Sequence, residues 1–230
     1  MEYRAAQEEF SAALARLLES RSPLRVLDAG CGSDTNLALP HGAHVVGVDI
    51  SADALEQNTH VDERIVGDLE TIELPPAGFD LIVCWDVLEH LRRPERALRT
   101  FAEALAPGGL LVLGVPNVLS VKGLVTKCTP YAFHRWAYSR AGSSRTDPHR
   151  TFLRFAIAPR AIRRWAGRSG LTEEFSTFFE APIQARTRQA MRLSGWRWAA
   201  LSRLVRLVSL GVVATDDSDY LAIYAKRAGT

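Results

Sequence analysis

The segment Val26-Leu-Asp-Ala-Gly-Cys-Gly-Ser-Asp34 starts apolar, stops on an acid and then breaks through Gly30 and Gly32. A strand that ends on Asp28 and turns through two glycines lets a ligand approach bare backbone. Glycine has no Cβ and accepts backbone angles that other residues avoid. The turn should also leave amide groups at the start of a following helix free to bind that ligand. Further on, His44-Val-Val-Gly-Val-Asp49 is a second apolar run ending on an acid. An acid at a strand tip is placed to take both hydroxyls of a ribose. Together the two segments point to a nucleoside-containing cofactor at the carboxyl ends of parallel strands.

On the N-terminal side, Phe10, Leu14, Leu17 and Leu18 recur at helical spacing, which predicts a helix within residues 1–22 that packs on the sheet. Strand-like runs follow at residues 24–28, 44–49, 63–66, 79–84 and 110–115. A crossover helix is expected over 94–106, with Pro94 in its first turn, Leu98, Phe101 and Leu105 on one face and Pro107-Gly-Gly as its stop. After Val115 the alternation ends, and residues 117–158 read as an inserted cap after the fifth strand. A helix over 159–169 closed by Gly170, and strands at 171–179 and 220–226, complete the pattern. The expected architecture is α/β: one domain over residues 1–230, with a doubly wound, mostly parallel seven-stranded sheet covered on both faces.

Composition narrows the chemistry. With 47% apolar residues, 230 residues can bury a substantial core. Cys31, Cys84 and Cys128 are odd in number, lie far apart and lack CxxC spacing, which fits a reducing compartment and small buried residues rather than a zinc site. The opening residues lack a basic stretch followed by an apolar one, so a cytoplasmic location is expected. The net charge of +2 hides a division: residues 1–115 hold 9 Lys/Arg and 19 Asp/Glu, and residues 116–230 hold 19 and 7. The basic half suits an anionic partner, or simply a solvated arginine-rich surface. Residues 186–210 read as a basic amphipathic helical segment. On a helical wheel Arg188, Arg192, Arg203 and Arg206 share one arc, opposite Leu193, Leu201, Leu204, Val205 and Val208. Peripheral contact with an anionic membrane is one expectation from this pattern.

The motifs, in this order, resemble the class I methyltransferases that use S-adenosylmethionine. Within them the small-molecule branch typified by ubiquinone-biosynthesis O-methyltransferases is most similar. The resemblance rests on Val26–Gly32, on Gly47-Val-Asp-Ile-Ser51, on Val66-Gly-Asp-Leu-Glu70, on the run from Phe79 to Leu91, and on Leu105-Ala-Pro-Gly-Gly-Leu-Leu-Val-Leu113. It covers residues 22–117 well and the remainder in outline. It implies S-adenosylmethionine as cofactor, with S-adenosylhomocysteine as product. Asp28, Ala29, Gly30, Cys31 and Gly32 would surround the methionine part, Asp28 attracting its ammonium. Asp49 and Ile50 would hold the ribose end, Asp68 and Leu69 the adenine edge, and Cys84 and Trp85 the sulfonium. Charge-assisted bonds of the Asp49 kind contribute about 1.5–3 kcal/mol each.

The donor methyl is already activated, so alignment and exclusion of water carry most of the catalysis. A hydroxyl acceptor would gain from a general base, and His149, His90 and His134 are the candidates. Asp86 stands at the substrate entry, while Tyr131, Phe133 and Trp136 in the cap suit an aromatic or acyl-bearing small molecule. Cys84-Trp85-Asp86-Val87 replaces the Asn-Pro-Pro-Tyr-type tetrapeptide of enzymes that methylate bases or amides, which argues against a nucleic-acid target. No metal is called for. The expected activity is O-methylation in secondary, lipid or quinone metabolism.

One departure stands out: Asp34 occupies the place of the family's usual third glycine, and Pro40 and Gly42 crowd the helix expected next. Two other readings follow from these features. A degenerate methyltransferase fold could serve as a membrane or nucleic-acid adaptor. An NAD-dependent oxidoreductase shares the glycine turn and strand-tip acid, but its fingerprint needs glycine where Thr35 stands.

Overall fold

A computed structural model describes residues 3–19, 21, 23–35, 37–39, 41–121, 123–124, 151–190 and 195–228. Seven strands form one sheet: β1 Arg25–Ala29, β2 His44–Asp49, β3 Glu63–Val66, β4 Phe79–Trp85, β5 Leu105–Pro116, β6 Leu171–Phe179 and β7 Asp219–Lys226. Their spatial order is β3-β2-β1-β4-β5-β7-β6. Strands β1 to β5 pair in parallel, and β7 runs antiparallel to both β5 and β6. The expected mostly parallel seven-stranded sheet is therefore present.

The central strands are apolar on both sides because both sides are covered. On one face, helix α1 (Tyr3–Leu18) sets Phe10, Leu14 and Leu18 against Val26, Leu81, Val83 and Val112. On the other, α3 (Pro94–Ala104) and α4 (Pro159–Arg168) pack Leu98, Phe101 and Ile162 against Leu27, Val46 and Ile82. Each such side chain contributes about 1.5–3 kcal/mol on burial. Helix α2 (Ala52–Gln57) is short and capped by Ser51, whose hydroxyl accepts from the Ala54 amide at 3.2 Å.

Three expectations need correction. First, α3 passes into β5 directly at Leu105, so Pro107-Gly-Gly lies inside the strand and not at a helix stop. The pairing of β4 with β5 shifts register there, between Phe79 and Leu81. Second, no helix joins β1 to β2 among the described residues, which make only turns. Between Gly32 and Gly42, with Pro40 near the end, too few residues remain to repay helix nucleation. In its place a cavity of about 600 Å³ opens between α1, residues 37–43 and Trp85.

Third, the segment over 186–210 is two helices, α5 (Pro182–Ala190) and α6 (Trp196–Val208), with Gly195 at φ +56° before α6. A single wheel cannot span that break. In α6, Trp198, Leu201 and Val205 are partly buried, whereas Leu204 and Val208, expected on the same apolar side, are exposed.

Candidate active site

The tips of β1, β2 and β4 converge through backbone pairing: Asp28 lies beside Gly47 on one side and Val83 on the other. Past β1 the chain turns at Gly30 (φ +78°) and Gly32 (φ +54°), angles that exclude most other residues. A Cβ on Gly30 would run into Val87, while Gly32 faces open space.

Asp49 holds this turn. Its Oδ2 accepts from the Gly32 amide at 2.9 Å and its Oδ1 from the Ser51 amide at 2.9 Å, leaving further acceptor positions on both oxygens. The Gly30 and Cys31 amides donate to the Val48 carbonyl at 2.7 and 3.3 Å. Among the described residues no helix starts here to offer its amides. The first three amides of the turn, those of Gly30, Cys31 and Gly32, are thus spent on β2.

Asp28 differs from Asp49. It is only 5% exposed, and its Oδ2 has no hydrogen-bond partner. Burial, reinforced by the charge of nearby Asp49, pushes its carboxyl up from 3.8 to about 6. Thr35 stands near enough to oppose that shift, yet its hydroxyl misses hydrogen-bond geometry. A buried carboxylate without a partner is costly, and a ligand cation would neutralise it.

Two further positions fit a nucleoside. Ile50 beside Asp49 is 74% exposed, an apolar surface that a ring would cover. Asp68, exposed, uses Oδ1 to accept from the Glu70 amide at 2.8 Å, and its main chain ties down Thr71 and Ile72. That leaves its other oxygen outward, next to buried Leu69. Ala29 is wholly buried and offers only backbone. Cys31 and Cys84 also turn into the core. Burial pushes the Cys31 thiol up to about 12, and that of Cys84 well above its usual value. Neither is a nucleophile.

Asn58 escaped the sequence reading. Fully buried at the end of α2, it donates from Nδ2 to the carbonyls of Cys31 and Gly32 at 3.4 and 3.3 Å and accepts from the His60 amide at 2.9 Å. Arg64 in turn donates to the Leu55 and Asn58 carbonyls. This clamp does part of the work of the missing helix. The only available signal was a polar residue closing a short helix. Asp34, at the place of the third glycine, pairs with His60 at 3.3 Å on the surface.

At the tip of β4, Trp85 meets Phe10 edge to face at 5.8 Å and lines the cavity under α1. Asp86 follows at φ +54°, an angle that costs a non-glycine residue free energy and is concentrated at functional sites. His90 ends a 3₁₀ turn (Leu88–His90), half-buried, with Nε2 4.0 Å from Glu89. The Glu89 carbonyl accepts from the Phe152 and Leu153 amides, so the chain re-enters the fold on this turn. His134, His149, Tyr131, Phe133 and Trp136 lie outside the described residues.

Compared with known proteins, residues 2–210 match the family described as Methyltransferase domain. The chain belongs to this family. Its nicotinamide alternative falls with that match. Similar proteins include a ubiquinone biosynthesis O-methyltransferase of Idiomarina loihiensis, 31% identical over 40% of this chain and 42% of that protein. One of Xanthomonas euvesicatoria is 29% identical over 73% of this chain and 71% of its own. Several of these matches span only about half of the relative's length. A solved S-adenosylmethionine-dependent methyltransferase from Mesorhizobium loti shares the fold at TM-score 0.54 and 21% identity, over 95% of this chain and 97% of its own. S-adenosylmethionine is the cofactor named for that solved structure. The partnerless Asp28, the open Gly32 and the bare Ile50 suit its cationic amino-acid end and its nucleoside.

Proposed function

We propose that this methyltransferase moves a methyl group onto a hydroxyl of a small, aromatic or acyl-bearing molecule of secondary, lipid or quinone metabolism. One observation carries the reading of the site: the buried Asp28 oxygen that has no hydrogen-bond partner among the described residues, which a ligand cation would satisfy. The cofactor supplies a methyl group already activated on a sulfonium. Asp28 would hold the ammonium, Asp49 would accept from both ribose hydroxyls, and Asp68 would meet the adenine amino group. Trp85 and Asp86 border the place where the acceptor would enter. The names of the relatives support oxygen as the acceptor atom.

Alignment of acceptor and donor supplies the main rate gain. For a phenol, a histidine base adds to it by about 10²–10⁴-fold. His149 is the first choice, with His90 and His134 behind it. On this reading His149→Ala lowers turnover with cofactor affinity unchanged, and the wild-type rate rises with pH through about 6–7 as the imidazole loses its proton. Equal turnover in mutant and wild type would pass the role to His90 or His134 or remove the base altogether. A panel of phenolic and amine acceptors with labelled S-adenosylmethionine tests the acceptor atom. Transfer confined to amines would overturn the hydroxyl assignment.

A further inference from the structure

The outward side of α6 has no partner among the described residues. Trp196 and Leu207 are 77% and 74% exposed, Val208 is 76%, and Leu204 more than half. Leu210, at 90%, extends the same apolar surface past the helix end. Exposed apolar groups so close together mark an interaction surface and not ordinary solvent contact. The other side of the helix is partly covered, with Ser202 buried. Trp198 Nε1 donates to Asp216 at 2.6 Å, and Leu201 and Val205 are partly buried.

Charge identifies the occupant. From residue 181 to residue 215 the chain carries six arginines and no Asp or Glu. Arg197, Arg203 and Arg206 sit exposed among the apolar side chains of α6, with Arg197 stacked on Trp196 at 5.7 Å. A second copy docking through this face would bring arginines against arginines. A nucleic acid would meet aliphatic side chains where it needs stacking partners and hydrogen-bond donors. An anionic bilayer meets both features at once, because aliphatic groups and Trp enter the headgroup boundary while the arginines stay with the phosphates. Among the described residues no helix is long and apolar enough to cross a membrane, so contact of this kind is peripheral.

We propose that α6 docks this methyltransferase on a membrane surface bearing anionic lipid. The topology gives docking a consequence. The α5–α6 excursion leaves the end of β6 and returns at Asp219, which pairs with Pro116 at the end of β5. This is the sheet edge where β1, β2 and β4 also end, so docking turns the strand-tip site toward the lipid surface.

The test uses the full chain and co-sedimentation with vesicles of phosphatidylcholine, with or without phosphatidylglycerol. The expected result is binding to the anionic vesicles alone, weakened as salt rises from about 0.1 to about 1 M and the Debye length shrinks from about 10 to about 3 Å. Arg197→Glu, Arg203→Glu and Arg206→Glu together should reduce it about tenfold or more. Leu204→Ser, Leu207→Ser and Val208→Ser together should do the same through the apolar arm. Every substituted side chain is exposed, so both variants should fold, and unchanged cofactor affinity checks this. Absence of wild-type binding at low salt would overturn the proposal, as would equal binding to neutral vesicles or full binding by the serine variant. A wild-type dimer that the serine variant dissolves would assign the face to a second copy instead. None of these readouts depends on which molecule is methylated.

Discussion

Asp28 and Asp49 end neighbouring strands and yet differ in chemistry. Asp49 is satisfied by two backbone amides, while Asp28 keeps an oxygen buried and unpaired. The sequence showed both as strand-tip acids. It could not show that difference, which depends on how deeply each is covered. A sign follows for pH. Asp28 in the free protein titrates near 6 and not near 3.8, so acid neutralises the charge that should hold the cofactor's ammonium. Calorimetric affinity for S-adenosylmethionine should therefore be flat above about pH 7 and weaken toward pH 5. A flat profile down to pH 5 would remove Asp28 from the ammonium site.

The same shift predicts stability. With its folded-state value raised, Asp28 binds a proton in the native state between about 3.8 and 6 that the unfolded chain has released. Its penalty therefore grows as pH rises through that window and persists above it. Asp28→Asn should stabilise the cofactor-free protein at neutral pH by up to about 3 kcal/mol, while cofactor affinity falls. Chemical denaturation of both proteins measures the first effect. A destabilised Asp28→Asn protein would contradict it. Asn58, by contrast, belongs to no motif and bonds to main-chain carbonyls, so only the structure reveals it.

Among the elements, strands β2, β3 and β6 were legible to the residue, β2 as an apolar run ending on Asp49 and β3 and β6 as short stretches rich in β-branched and aromatic residues. Helix α1 was equally plain from its spacing. The elements that misled were those decided by tertiary contact. The start of β5 is set by pairing with β4, and the missing β1–β2 helix is replaced by Asn58 and a cavity. On α6, Trp198 is held by Asp216, a contact no sequence pattern announces. Polar contacts also fix the far edge of the sheet. There Glu173 Oε2 accepts from Arg163 at 2.8 Å, Tyr220 at 3.1 Å and Tyr224 at 3.2 Å, beside a register shift in β6. The two tyrosine hydroxyls lie 2.9 Å apart in the core. Tyr224→Phe removes one bond of this network and should cost about 1 kcal/mol in thermal unfolding. Cofactor affinity should not change, because β1 and β2 lie several strands away. A matching loss of affinity would show coupling across the sheet that the contacts do not provide.

At the scale of the whole molecule, the charge division has a structural meaning. The acidic half builds β1 to β4, whose tips are proposed to receive a cationic cofactor, and the basic half carries α4, α5 and α6. The asymmetry was visible in the sequence, and the fold assigns its two parts to different elements. The proposed function rests on the acids at the strand tips holding S-adenosylmethionine. Its most direct test is calorimetric titration of S-adenosylmethionine into wild type and Asp49→Ala at neutral pH, with circular dichroism to confirm folding. The account predicts micromolar affinity for wild type and a loss of at least about tenfold in the variant, the equivalent of one charge-assisted hydrogen bond. Unchanged affinity in a folded Asp49→Ala protein would contradict it.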